Sequence, residues 1–348
     1  MVRLTKTLVA VAAACVLVGL TAAASAGTGR DDNVDEGGGG VHVDFGAWYP
    51  SVGYVQAPQG RASATLIDPQ WALTAAHVVD GATSLSFTIG GIEHGATQWL
   101  PHPKWNGDLE KGYDIGLIQF GDPISDIEPA PLYTGTSELD SVGTAAGYGR
   151  YGTGTEGATG FDGQRRAGNN TIDALLRTPG KDNRILLTDF DSGSPADNAL
   201  ADVGSEPEPL ALEYLIAPGD SGGGLFLDTD ESNAEDINGD GVLDPVGDVL
   251  AGVHSFVWGR LDGAPDSDYG DVSGHTRVSA FGDWIDSVLS PGGGDDDGGK
   301  PPWAGGPGGK PKKSSAFDDS IVPEPATLAL LLSGGLMLMW RRRASRSA

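Results

Sequence analysis

Gly219-Asp220-Ser221-Gly222-Gly223-Gly224-Leu225-Phe226-Leu227 is the stretch on which the fold turns. Glycines on both sides of Ser221 permit a tight turn and the close approach of another backbone. What comes next decides the class. A serine elbow between glycines can feed a helix, but here a short apolar run leads straight into an Asp-rich segment and reads as a strand. Outward from it, Ala62 to Ile67, Trp71 to Thr74, Ser84 to Ile89, Ile115 to Phe120 and Val249 to Phe256 repeat the pattern of short apolar or alternating runs between turn residues. Such runs are too short for core helices and predict an all-β sandwich or barrel. Segments 149–168 and 192–209 are polar, contain Gly or Pro and lack periodicity, which predicts surface loops. Phe281, Trp284, Ile285 and Val288 recur at helical spacing and predict a closing helix packed on the barrel.

Two further motifs share the chemistry of Ser221. His77 ends the run Leu73-Thr74-Ala75-Ala76-His77, and Asp114 stands in Tyr113-Asp114-Ile115-Gly116-Leu117-Ile118, just before an apolar strand. A hydroxyl, an imidazole to activate it and a carboxylate to orient the imidazole are the parts of nucleophilic acyl transfer. The three motifs, in the order His, Asp, Ser, resemble the trypsin-like serine protease family. Ala146-Gly147-Tyr148-Gly149, Gly252-Val253-His254-Ser255 and His275-Thr276-Arg277-Val278 add to the likeness.

The resemblance implies two six-stranded antiparallel β-barrels packed together, with a C-terminal helix, over a domain at 41–290. It implies an endopeptidase with His77 as general base and acid, Asp114 as its orienting carboxylate, Ser221 as nucleophile, and the Gly219 and Ser221 N–H groups as oxyanion hole. No cofactor is required for that chemistry. The rival α/β-hydrolase reading of Gly219 to Gly223 needs an Asp and a His after the serine. His254 and His275 lack suitable flanks and, with His94 and His102, read as structural or exposed.

The sequence departs from the family in several places. In the family, a freed apolar amino terminus pairs with the Asp before the nucleophile. Asp220 is that Asp, but no Ile-Val-Gly-Gly start is present. Val34 and Val41 lie at suitable distances, and without a freed terminus Asp220 pairs elsewhere. Leu215 stands where cleavage after Lys or Arg calls for an acid. Leu215, Ile216 and Ala217 predict an apolar pocket floor with Ser255 and Phe256 on its wall, hence cleavage after medium or large apolar residues.

The one cysteine is Cys15, so the domain stands without disulfides. Asp236, Asn238, Asp240 and Asp244 alternate around Gly241 as in the first half of a calcium loop, but the closing acid is missing. A structural calcium and an ion-free Asx-rich turn both fit these residues.

The chain's ends concern address. Arg3 and Lys6, an apolar run from Leu8 to Leu20 and Ala24-Ser25-Ala26 read as a secretory signal over 1–26, cut after Ala26. Residues 27–40 form a Gly/Asp-rich N-terminal or pro-segment, and 291–320 a flexible Gly/Pro/Asp linker. Beyond it, Pro323-Glu324-Pro325, an apolar stretch at 326–340 and Arg341-Arg342-Arg343 resemble the PEP-CTERM sorting signal over 321–348. That resemblance implies an exosortase-type processing enzyme, transient or permanent membrane contact, and an envelope, cell-surface or extracellular address. A net charge of -26 at pH 7 argues against nucleic acid as partner but fixes no activity; protein or peptide substrates are what the trypsin-like resemblance implies. Two non-catalytic readings stand beside the peptidase: a catalytically silent surface protein that uses the barrel for binding, and a calcium-dependent adhesion module.

Overall fold

A computed structural model describes residues 27–33, 40–176, 183–228 and 248–290. The signal, linker and sorting segments, Val34 and the acidic loop of Asp236, Asn238, Asp240 and Asp244 lie outside the described residues. The first elements are β1 (Gly27–Gly29), α1 (Val41–Gly46), β2 (Val52–Ala57), β3 (Gly60–Asp68), β4 (Trp71–Thr74), α2 (Ala76–Val79), β5 (Ser86–Ile89), β6 (Ile92–Pro101) and β7 (Gly116–Phe120). Strands β2-β3-β4-β7-β6-β5 close into a six-stranded barrel, as the resemblance implies. β5 shows why: Phe87 and Ile89 are buried while Ser86 and Thr88 are half-exposed, the two-residue alternation of a one-sided strand. Gly90 and Gly91, both at positive φ between the paired Ile89 and Ile92, supply the backbone that a tight hairpin demands. Inside, the rings of Phe87 and Phe120 stack at 5.3 Å.

The second half comprises β8 (Val142–Gly147), β9 (Tyr151–Thr153), β10 (Gly157–Gly160), β11 (Arg166–Thr171), β12 (Ala174–Leu176), β13 (Ile185–Asp189), β14 (Tyr214–Leu215), β15 (Gly224–Leu227), β16 (Val249–Trp258), β17 (Val272–Arg277) and α3 (Gly282–Leu289). Here a seven-stranded sheet, β11-β8-β15-β16-β17-β13-β12, stands where the resemblance implies a second six-stranded barrel. Its curl brings β11 back to β13 and β14, where a single parallel bridge, Asn169 to Glu213 with the Asn169 N–H donating to the Leu212 carbonyl at 2.7 Å, is joined by a side chain. The Asn170 amide donates to the carbonyls of Asp189 at 2.5 Å and Tyr214 at 3.1 Å.

The sequence reading of 149–168 as a surface loop is corrected: it contains the β9–β10 hairpin and the start of β11. Glycines and polar residues there carry no apolar alternation, so the strands are held by backbone bonds that leave no mark on hydropathy. Segment 192–209 keeps loop character apart from one 3-10 turn at Ala201–Val203. Strand β1 lies inside a four-stranded sheet, β10-β9-β1-β14, so the fold takes in residues upstream of Val41.

Helix α3 buries Ile285 completely. Trp284 and Phe281, the residue before the helix, meet the ring of His102 edge-on at 4.9 and 5.1 Å, docking this end of the chain on the barrel. Among the described residues no helix is long and apolar enough to cross a membrane.

Candidate active site

Thr74 at the end of β4 pairs with Gly116 at the start of β7. The chain leaving one strand and the chain entering the other are therefore held side by side, and they carry His77 and Asp114. Asp114 is fully buried. Its Oδ1 accepts the backbone N–H of His77 at 2.8 Å, and its Oδ2 lies 2.7 Å from His77 Nδ1. An ionised carboxylate only accepts, so Nδ1 carries a proton, and in the neutral imidazole Nε2 is then the atom with the free lone pair. Two residues of the second half complete the cradle: Ser255 Oγ donates to Asp114 Oδ2 at 2.6 Å, and Thr276 Oγ1 donates to the Asp114 carbonyl at 2.9 Å. The imidazole itself is partly open, its side chain 34% exposed.

Ser221 reaches this corner from the other half. The Ser63 N–H donates to the Ser221 carbonyl at 2.8 Å. Ser63 Oγ donates to the Gly219 carbonyl at 3.0 Å and accepts the Tyr148 N–H at 2.9 Å. Gly222, at φ 85, lies so close to β4 that a Cβ there would fall 2.0 Å from Thr74 Oγ1 and 2.2 Å from the Ser63 carbonyl. The glycine presses the Ser221 turn onto the strand that delivers His77. Gly219 has φ 104, a conformation few other residues adopt, and its N–H and that of Ser221 donate to no group among the described residues.

Asp220 closes the turn on itself. Fully buried, it accepts the N–H of Gly149 on Oδ1 at 2.7 Å and that of Ala217 on Oδ2 at 2.9 Å, while its own N–H donates to the Ala217 carbonyl at 2.9 Å. Burial pushes its carboxyl up to about 7, against the pull of those two N–H groups and of the Arg166 charge. Val41, one of the two residues named as a new terminus, sits at the start of α1 directly after Gly40.

The pocket residues gather around the same half. Leu215 is buried in β14, opposite Thr28 of β1. The buried Ile216 donates its N–H to Ser273 Oγ at 3.4 Å, and Ala217 is also buried. The Phe256 ring covers Gly274, where a Cβ would fall 2.3 Å from it. Ser255 is turned towards Asp114, a role that its pocket assignment did not include. The sequence reading names neither Ser63 nor Asp271, and Thr276 only within the family-like run His275 to Val278. Ser63 could have been noticed as a hydroxyl inside the apolar run of β3. Asp271, buried two residues before Ser273, accepts the Ser267 N–H at 2.8 Å, and burial with Asp268, Asp266 and Asp262 nearby pushes its carboxyl up to about 7. With Asp266 and Asp268 it forms a carboxylate group whose oxygens lie within 4.8 Å of one another, tight enough to hold a cation.

The remaining histidines stand apart from this chemistry. His254 and His275 are buried with their Nδ1 atoms 2.9 Å apart, and burial lowers both, His275 to about 3. His102 is lowered to about 4 by burial and by Lys104 and Arg184. The His94 ring lies 6.2 Å from that of Phe120.

In sequence, the Trypsin family matches residues 38–196, a stretch that includes His77 and Asp114 and stops short of Ser221. Chymotrypsin-like elastase family member 1 of Canis lupus familiaris is 32% identical over 95 residues, covering 24% of this chain. The match spans about a third (33%) of that relative's length. Among solved structures, HL collagenase is similar with a TM-score of 0.47 at 20% identity, over 69% of this chain and 94% of that one. Neuropsin, a serine protease expressed in the limbic system of mouse brain, has a TM-score of 0.49 at 17% identity, over 70% and 95%. By sequence, then, the stretch that holds His77 and Asp114 is similar to the Trypsin family and, in part, to a chymotrypsin-like elastase.

Proposed function

We propose that the chain is an exported serine endopeptidase that cleaves peptide bonds through an acyl-enzyme on Ser221. The observation that carries this reading is the Asp114 cradle: three donors converge on one buried carboxylate, and one of them is His77 Nδ1. That leaves Nε2 as the base. Ser221 Oγ attacks the substrate carbonyl while its proton passes to Nε2, and Asp114 stabilises the imidazolium that forms. The oxyanion is received by the N–H groups of Gly219 and Ser221. Collapse of the tetrahedral intermediate expels the amine with the proton from Nε2. Water then attacks the acyl-enzyme by the same steps and frees the acid.

Leu215, Ile216 and Ala217 favour substrates with medium or large apolar side chains before the cut, not Lys or Arg. The signal at 1–26 and the Pro-Glu-Pro segment support export, then handling by an exosortase-type enzyme at the envelope or cell surface. A structural calcium on Asp236, Asn238, Asp240 and Asp244 would staple the insertion between β15 and β16.

The silent binding protein is the second reading, and one observation favours it: Ser221 Oγ makes no hydrogen bond among the described residues. Catalytic contacts commonly tighten only when substrate arrives. The test is incubation of the processed protein, beside Ser221→Ala, with a mixed peptide library, read by mass spectrometry, together with labelling by a serine-directed fluorophosphonate. Cuts and label that vanish in Ser221→Ala establish the peptidase. Neither in the wild type leaves the binding protein.

A further inference from the structure

Asp220 is a buried carboxylate next to the nucleophile, and such a group needs a compensating charge or it takes up a proton. The register of β8 and β11 shows where that charge stands. Gly147 and Arg166 are directly opposed across the antiparallel pair, and opposed residues project to the same face of a sheet. On that face a Cβ at Gly147 would fall 2.2 Å from Asp220 Oδ1. The Arg166 side chain therefore leaves the sheet on the side where the Asp220 carboxylate lies, across the space that Gly147 leaves open. Gly149 makes the same allowance, since a Cβ there would fall 2.6 Å from Asp220 Cγ. Arg166 is itself buried, its side chain 2% exposed, so its field is little screened by solvent.

We propose that Arg166 is a positioning residue for the oxyanion turn: its guanidinium favours the ionised form of Asp220 against burial, and Asp220 thereby holds the Gly149 and Ala217 N–H groups with no need of a freed amino terminus. This inference rests on the peptidase reading above. The link to Gly219 and Ser221 is short, because Asp220 is bonded to Ala217 through both its carboxylate and its own N–H, which fixes the turn at 217–220 from within. A protonated Asp220 is a poorer acceptor for both N–H groups, and the turn loosens.

Other titratable groups face the pair. Asp162, ahead of β11, meets Arg166 at 3.4 Å. His42 of α1 and Glu156 of the β9–β10 turn line a cavity of about 150 Å³ with Arg166. From β16, His254 Cδ2 lies near the Cβ position of Gly223, whose N–H donates to the Asp220 carbonyl at 2.7 Å. Asp162 competes for the same guanidinium through two contacts of 3.4 and 3.5 Å, one to each terminal nitrogen. Asp220 is raised by burial and lowered by Arg166, so loss of the cation moves its titration upward.

The test is a double-mutant cycle on the processed full-length protein. Wild type is first labelled with fluorophosphonate. Arg166→Met is expected to lower kcat by about 10-fold or more with little change in KM, the signature of weaker oxyanion stabilisation. The acid limb of kcat/KM should move to higher pH, and Arg166→Lys should restore most of both. In an Asp220→Asn background, where no charge needs compensation, Arg166→Met should cost little more. Should Arg166→Met fail to fold, Arg166→Gln and Arg166→Lys carry the same cycle. Equal losses in both backgrounds, or an acid limb that stays in place, overturn the inference while a labelled wild type leaves the peptidase standing. An unlabelled wild type removes the peptidase reading and this inference with it.

Discussion

In the closed barrel the fully buried side chains are overwhelmingly apolar, with Leu66, Leu73, Phe87, Ile115 and Leu117 at its centre and Asp114 as the buried carboxylate at its rim. The seven-stranded half hides far more charge. Glu138, Asp189, Asp191, Glu213, Asp220 and Asp271 are buried there, and only some have cations: Arg277 grips Glu138 through two bonds of 2.7 and 2.6 Å. One half is held chiefly by removal of apolar surface from water, which is nearly indifferent to pH. The other is held by polar groups that must find partners. The catalytic candidates sit where the two meet, with His77 and Asp114 at the barrel and Ser221 in the turn that enters the sheet.

The largest expected effect tests whether that junction is a single unit. His77→Ala, from the barrel, and Ser221→Ala, from the sheet, should each lower kcat by about 10⁴-fold or more, and the double variant should lose no more than the worse single one. Multiplying losses in a peptide-cleavage assay would break the idea. Next is the barrel core. Phe87→Ala, which removes a buried ring stacked on Phe120, should cost about 3–5 kcal/mol in urea unfolding, by the same amount at acid and at neutral pH.

A smaller effect probes the bond that crosses the junction. Ser255→Ala removes one donor to the ionised Asp114, a loss of about 1.5–3 kcal/mol for a charged bond. In steady-state kinetics this should appear as a drop in kcat of about 10-fold to 100-fold.

The smallest concerns pH. Burial raises the carboxyls of Asp173 and Glu213 well above their ordinary range and that of Asp191 to about 7. Over that window the native state keeps protons that the unfolded chain releases, so their favourable contribution is complete below the ordinary carboxylate range and is lost as pH rises through the raised values. Scanning calorimetry should show Tm falling from about pH 5 to about pH 8, and Asp173→Asn should flatten the fall. A pH slope that Asp173→Asn leaves intact would place its origin outside this group of acids.

The same contrast explains what could be read without coordinates. Barrel strands announce themselves, because Phe87 and Ile89 alternate with Ser86 and Thr88, and β4 and β7 are continuous apolar runs that point to the residues at their ends, His77 and Asp114. Strands β9 and β10 gave no such sign: Tyr151-Gly152-Thr153 and Gly157-Ala158-Thr159-Gly160 fit a loop as well as a hairpin. Flanking glycines exposed Ser221, but the hydroxyls that support the site, Ser63, Ser255 and Thr276, look in sequence like ordinary polar residues of strands. Their partners, the Gly219 and Asp114 carbonyls and the Asp114 carboxylate, are far away along the chain. Arg166 became legible only through its register opposite Gly147.

Strand β1 carries a mechanical consequence. It runs parallel to β9 and antiparallel to β14, and its glycines admit no side chains, since a Cβ at Gly27 would fall 1.7 Å from Tyr214 Oη and one at Gly29 2.4 Å from His42 Nε2. A pull applied through residue 27 therefore loads both flanking ladders in shear and meets a bolt retained by backbone hydrogen bonds and one side-chain bond, Thr28 Oγ1 to the Leu215 carbonyl at 3.4 Å. Tension on that end is passed to Tyr214 and Leu215, the last strand residues before the turn that presents Ser221.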